Sequence, residues 1–200
     1  LKGLGQPLVV RTGEIIAVLN TLQSNYRIKE IICHEETGTD WTYQRDIAVR
    51  KWSSANGVKL SEYPTNGVVR RLPNRDAWSK LRNERMRTSI VPTPEKIIGI
   101  EAINPGHLPT KEDSIFQQDN AKPQAGGRKE GIAILDSFLE ERGKSYLYYI
   151  SAPGKSATHC SRLSPHLTWG TLSMKEVVHA LEKLKQYNAY SKHYSAFSSR

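Results

Sequence analysis

Long hydrophobic runs are missing from this 200-residue chain. No stretch approaches the roughly 18 apolar residues that a spanning helix needs, so no membrane association is expected. No basic-then-apolar leader ends in small residues, so a secretory signal is not expected either. Cysteine is nearly absent: Cys33 and Cys160 stand far apart and form no CxxC pair. That spacing argues against a disulfide framework and a zinc site, and it fits a reducing, cytoplasmic setting. The glycine signatures GxGxxG and GxxxxGK[ST] do not occur, and no Ser/His/Asp or Cys/His arrangement is recognisable. The chain opens on Leu rather than Met, so it reads as a fragment or a trimmed product.

What is present is positive charge. The net charge is +9, and residues 1–100 carry 16 basic against 10 acidic side chains. The densest piece runs from Arg70 to Arg87, where Arg70, Arg71, Arg75, Lys80, Arg82, Arg85 and Arg87 face only Asp76 and Glu84. Such a patch attracts phosphates by counterion release and field focusing. It equally suits a solvated helix face.

The first part of the chain alternates strand-like and helix-like stretches. "PLVVR" (7–11) is a short apolar run of the kind found in buried parallel strands. After "TGE", Ile15, Ile16, Val18, Leu19 and Leu22 recur at helical spacing. "RIKEIICH" (27–34) predicts a second strand, and the intervening residues suffice for a parallel crossover. The pattern predicts a helix over about 43–56, a strand at "VKLSEY" (58–63) and a helix over 75–86. This alternation argues for an open α/β layer. Residues 91–128 break the rhythm with scattered Pro and Gly, including Pro92, Pro94, Pro105, Pro109 and Pro123, and predict an interdomain linker. Beyond them the pattern is helical. "KEGIAILDSFLEER" places Ile132, Leu135, Phe138 and Leu139 on one face, with Gly143 as C-cap. "SMKEVVHALEKLK" opens on a Ser173/Glu176 capping box. The expected division is therefore 1–90 α/β domain, 91–128 linker and 129–200 helical domain.

Three places bear chemistry. "VVRTGEII" puts one glycine between strand and helix, which reads as a simple turn. "CHEETGTDWTYQRD" gathers His34, Glu35, Glu36, Asp40 and Asp46 after a strand, where ligands sit in open α/β sheets; capping of the next helix accounts for the acids better than a metal does. "CSRLSPHLTWGTLS" (160–173) is richer. Ser161, Ser164, Thr168, Thr171 and Ser173 supply short donors beside helix starts, and Arg162 adds charge. These residues suit a phosphate or pyrophosphate, and they equally suit a well-capped helix start. The tryptophans Trp41, Trp52, Trp78 and Trp169 read as core, and "YLYY" (146–149) as a packed aromatic turn or a platform over a flat ligand.

"SRLSPHLTWGTLS" resembles the flavin-binding signature of the photolyase/cryptochrome family. "GGRKEGIAILDSFLEERGKSYLYYISAP" resembles the run-up to it. "HEETGTDWTYQRDIAVRKW" and "NGVVRRLPNRDAW" resemble the family's amino-terminal α/β domain and the segment after it, particularly in the cryptochrome-like bacterial branch. The resemblance implies an α/β fold, a partial Rossmann-like parallel-sheet antenna domain followed by the start of an all-α FAD-binding domain. It implies FAD, possible company from a second antenna chromophore of unassigned identity, and damaged DNA bearing pyrimidine dimers as the partner of a monomeric protein. The implied activity is light-driven dimer repair, a deoxyribodipyrimidine photo-lyase reaction, with a cryptochrome photoreceptor role as the alternative. By motif position, the implied cofactor-binding residues are Tyr146, Cys160, Ser161, Arg162, Leu163 and Ser164. Many members carry Thr where Cys160 stands, so a hydroxyl is replaced here by a weaker thiol donor. The rest of the flavin pocket and the electron relay are expected outside this chain.

Overall fold

The computed structural model describes residues 1–110, 124–186 and 192–198. The chain forms two compact units that interleave in sequence. One comprises Leu1–Pro64 and Val91–Ala121, the other Thr65–Ile90 and Lys122–Arg200. Residues 65–90 thus pack with the carboxyl-terminal part, and residues 91–110 return to the amino-terminal unit.

The first unit is a small α/β layer. Helix α1 (Ile15–Tyr26) ends where Arg27 adopts a left-handed conformation, and strand β1 (Glu30–His34) follows. Helix α2 (Asp40–Ala55) starts at a reciprocal cap, with the side chains of Thr39 and Thr42 each serving the other's backbone N–H. It leads to strand β2 (Lys59–Tyr63), which pairs with β1 in parallel, Glu30 opposite Lys59 and His34 opposite Tyr63. Leu19, Trp52 and Val58 are buried, with Ile15, Ile16, Ile28, Ile31 and Val49 packed on them. The indole N–H of Trp52 donates to Asn20 Oδ1 at 2.6 Å, so the one polar atom of the ring is satisfied.

The expected strand at 7–11 does not form. Pro7 cannot donate to a ladder, and the segment is held instead by isolated bonds to the stretch after residue 96: Ile97 N–H to Leu4 O at 2.6 Å, Val10 N–H to Pro105 O at 2.7 Å and the Arg11 guanidinium to Asn104 O at 2.8 Å. The 91–110 stretch is therefore the bonding partner of the chain start within one unit.

The second unit is helical. Helix α3 (Trp78–Arg87) is anchored by Trp78 Nε1–H donating to Gly67 O at 2.8 Å and Arg85 donating to Val68 O at 2.7 Å. Helix α4 (Arg128–Glu140) is followed by a 3-10 turn, Arg142–Ser145, and by four short pieces: α5 (Tyr146–Tyr149), a 3-10 turn at Pro153–Lys155, α6 (Ser156–His159) and α7 (Ser164–Thr168). Helices α8 (Met174–Gln186) and α9 (Lys192–Ser198) complete it. The expected capping box forms: Ser173 N–H donates to Glu176 Oε2 at 2.8 Å and Glu176 N–H to Ser173 Oγ at 3.2 Å. His179 on α8 approaches Met86 O of α3 at 3.0 Å, which fastens residues 65–90 to this unit.

Phe138 centres the core, with no exposed surface. Its ring meets those of Phe197, Tyr146 and Tyr194 edge-on at 4.8, 5.8 and 6.0 Å, the geometry that aromatic quadrupoles favour. Leu135, Leu163, Leu172, Val177 and Leu181 fill the remainder. Three expectations fail here. Gly143 is not the C-cap of α4, which ends at Glu140; it lies buried in the 3-10 turn, where a Cβ would stand 2.4 Å from Tyr194 Cε1 and 2.6 Å from Phe138 O. Ile132 is exposed rather than inward. Trp41 and Trp169, read as core, are 72% and 83% exposed, because one lies in the first turn of α2 facing solvent and the other caps the short α7.

Candidate functional site

The segment 160–164 links α6 to α7 and is governed by its backbone. Cys160 is the extended C-cap of α6. Arg162 holds a left-handed φ of 60°, a conformation costing a non-glycine residue on the order of 1 kcal/mol. The carbonyls around this kink are tied down. Gln124 Nε2–H donates to Arg162 O at 2.7 Å, and Arg142 donates to Ser161 O at 3.2 Å and to Cys160 O.

The residues marked by the sequence motif fall into two groups. Tyr146 and Leu163 lie in the core, and Cys160 packs against the same cluster. Ser161 is half-buried, and Arg162 and Ser164 are exposed. The hydroxyls of Ser161 and Ser164 and the guanidinium of Arg162 make no hydrogen bond or ion pair among the described residues. Ser164 begins α7 and Pro165 follows it in the first turn, where a missing N–H costs nothing. The chain thus gathers two free hydroxyls and one free cation on a short kinked segment whose backbone is fixed from behind. That donor set fits a phosphate group, which takes hydrogen bonds and positive charge together.

Arg142, to which no sequence motif points, sits behind the segment. Its half-buried guanidinium donates to Ser137 Oγ at 3.1 Å, to Ile134 O at 2.8 Å and to the Cys160 and Ser161 carbonyls, and it lies 5.7 Å from the Phe138 ring centroid. No carboxylate pairs with it among the described residues. Burial lowers its pKa, and the nearby Arg162 charge lowers it further. The only sequence signal was an arginine directly before a glycine that the core requires to be small.

Next to this, His166 is buried with Nδ1 2.9 Å from Thr171 Oγ1. The Tyr149 ring tilts over His159 at 4.0 Å, while Tyr148 is exposed. "YLYY" is therefore a packed turn at Tyr146 with one ring left in solvent. The basic 70–87 stretch divides similarly: Arg82 and Arg85 are spent on Asn83, Ser198 and Val68, while Arg71, Arg75, Lys80 and Arg87 are exposed. In the 33–46 stretch the acids serve the backbone. Glu36 accepts from Gly38 N–H at 2.6 Å, Asp46 accepts from Glu36 N–H at 3.3 Å, and Arg45 pairs with both at 3.3 and 3.4 Å. No group of three His, Cys, Asp or Glu side chains among the described residues could hold a metal, and no helix among them is long and apolar enough to cross a membrane.

Searched against protein-family models, the chain matches none. Among curated proteins it is 25% identical to a deoxyribodipyrimidine photo-lyase of Halobacterium salinarum, over 92% of this chain and 40% of that protein. It is 23% identical to a cryptochrome DASH of Gloeobacter violaceus, over 88% of this chain and 39% of that one. Among solved structures it superposes on a bacterial class III photolyase from Agrobacterium tumefaciens with a TM-score of 0.75 at 22% identity, covering 99% of this chain and 44% of that one. An archaeal photolyase from Sulfolobus tokodaii, solved with two FAD molecules, gives a TM-score of 0.57 at 22% identity, over 94% and 42%. The fold is thus that of the photolyase α/β domain and the start of its helical domain. In sequence the chain is thus similar to members of the photolyase/cryptochrome family, and it spans about 40% of the length of the curated relatives it matches.

Proposed function

We propose that segment 160–164 holds the pyrophosphate of FAD and that the protein of which this chain is a part carries out light-driven repair of pyrimidine dimers in DNA. The observation that carries the reading is the donor set itself: Ser161 and Ser164 hydroxyls and the Arg162 guanidinium, all without partners among the described residues, on a backbone fixed by Gln124 and Arg142. Ser161 and Ser164 donate to phosphate oxygens, Arg162 neutralises them, and the half-buried Cys160 thiol adds a weak donor. Tyr146 and Leu163 act from the core, by shaping the wall rather than by polar contact. Bound FAD supplies the photochemistry, and the polypeptide supplies orientation and electrostatics. DNA is the proposed partner of a monomeric, cytoplasmic protein, and the exposed Arg71, Arg75, Lys80 and Arg87 suit a phosphate backbone. The α/β unit is proposed to serve a second, antenna chromophore; the archaeal neighbour with its two FAD molecules supports that assignment.

The test uses the intact protein in two stages. Purification should yield bound flavin, visible in the absorption spectrum, and Ser161→Ala with Ser164→Ala should lose it on dialysis. Illumination with dimer-containing DNA should then remove dimers. A flavin-loaded protein that removes none supports the photoreceptor reading, which the cryptochrome DASH relative favours. A protein that never binds flavin defeats both.

A further inference from the structure

We propose that Arg142 is the positioning residue of the phosphate-binding segment. Its guanidinium clamps the Cys160 and Ser161 carbonyls to the end of α4, which leaves the Ser161, Arg162 and Ser164 side chains free for an anionic ligand. This inference rests on the flavin-phosphate reading and adds a residue to it.

Three observations converge. The first is geometric. Four hydrogen bonds run from one planar group to two elements: Ser137 Oγ and Ile134 O on α4, and the Cys160 and Ser161 carbonyls on the candidate segment. A guanidinium spans such a set because its donors are fixed in a fork, whereas an ammonium is a point donor on a flexible stem. The second is conformational. Arg162 is held at a positive φ, and the Arg142 clamp on the residue before it and the Gln124 bond on its own carbonyl hold the kink in place. Without the clamp, residues 160–162 would relax toward ordinary extended or helical backbone and the hydroxyls would move with them. The third is electrostatic. A half-buried cation with no carboxylate partner, beside a second cation at Arg162, is a like-charge arrangement that an arriving phosphate relieves.

The experiment strips flavin from the intact protein and titrates FAD back, reading flavin fluorescence, with the thermal midpoint of each flavin-free variant measured alongside. Arg142→Lys should weaken FAD binding about ten-fold or more, the loss expected when charge-assisted bonds to the segment are broken. Its salt dependence should match wild type, because the charge is kept; Arg142→Gln should weaken binding further and flatten the salt dependence. Leu181→Ala, a core change in the same unit, serves as the stability control and should keep its FAD affinity at an equal or larger drop in midpoint. The inference is overturned if Arg142→Lys binds FAD like wild type, or if Leu181→Ala loses as much affinity as Arg142→Lys. If Ser161→Ala with Ser164→Ala weakens binding while Arg142→Lys does not, the flavin reading stands and only the role of Arg142 falls. If the wild-type protein binds no FAD, both fall.

Discussion

The two units hold themselves together by different means. The helical unit has a contiguous core around Phe138, in which four aromatic rings interlock and five aliphatic side chains close the gaps. Among the described residues, the hydrophobic side chains that the α/β unit buries deeply are Leu19, Trp52 and Val58. It leaves Ile32 of its parallel pair 69% exposed, although parallel strands are usually covered on both faces. Its cohesion rests more on directed bonds: the Trp52–Asn20 contact, the Thr39/Thr42 cap, and the Glu30 carboxylate shared by Lys59 at 2.8 Å and Ser61 at 2.6 Å. The comparison teaches that the candidate ligand segment is mounted on the better-packed unit, as a kinked, clamped backbone needs to be. Substitutions should therefore break the units separately and by different amounts.

The largest effect is expected at Phe138. Truncation to Ala removes a side chain with no exposed surface, at a cost of about 3–5 kcal/mol. Hydrogen exchange on the intact protein should show protection lost across α4, α5 and α9 and retained in α1, α2 and the strands. Uniform loss in both units would mean that they share one cooperative transition. Next comes Gly143→Ala. Its Cβ would collide with Phe138 O, a backbone atom that cannot swing aside, and with the Tyr194 ring. Overpacking of this kind costs about 1–3 kcal/mol. Thermal denaturation should show the drop, and Gly154→Ala, where no atom lies within 4 Å of the added Cβ, should not. In the α/β unit, Trp52→Phe keeps most of the buried ring but loses the bond to Asn20, for roughly 1 kcal/mol, and its exchange signature should stay within that unit.

The same contrast explains what the sequence made legible. The two parallel strands, the helices that flank them and the capping box at Ser173 all depend on local patterns: alternation, helical spacing, and cap residues at i and i+3. The structure keeps them, with shifts of a few residues at their ends. What local pattern could not supply was partnership at long range. The run at 7–11 has the apolar character of a strand, but its hydrogen-bond partners are residues 104–105, some 95 positions on, and they offer single bonds rather than a ladder. Residues 65–90 read as a continuation of the α/β rhythm, yet α3 finds its partner in His179 of α8. Trp41 and Trp169 have apolar neighbours in sequence and solvent in space. Arg142 was illegible for the same reason: its meaning lies in carbonyls 18 and 19 residues away.

The smallest predicted effect tests whether charge adds to the packing of the helical unit. Glu176 closes the capping box and also meets Arg128 at 2.5 Å. The Arg128 hydrogen bond, seconded by bonds from Ser173 and opposed by burial, holds the Glu176 carboxyl down at about 2. A carboxyl depressed on folding contributes stability above its ordinary value of about 4.5, and the contribution drains away as pH falls from there toward the folded value near 2. Arg128 is 60% exposed, so solvent screening holds the contribution to roughly 0.5–1 kcal/mol, well under what the shift alone would convert to. Glu176→Gln keeps an acceptor for the Ser173 N–H and removes the charge together with the oxygen that accepts from Arg128. The stability gap between wild type and this variant should be constant at neutral pH, close as the pH falls below about 4.5, and shrink in high salt at neutral pH. A gap that persists unchanged into strong acid would assign the effect to the geometry of the cap, and the helical unit would then owe its margin to packing alone.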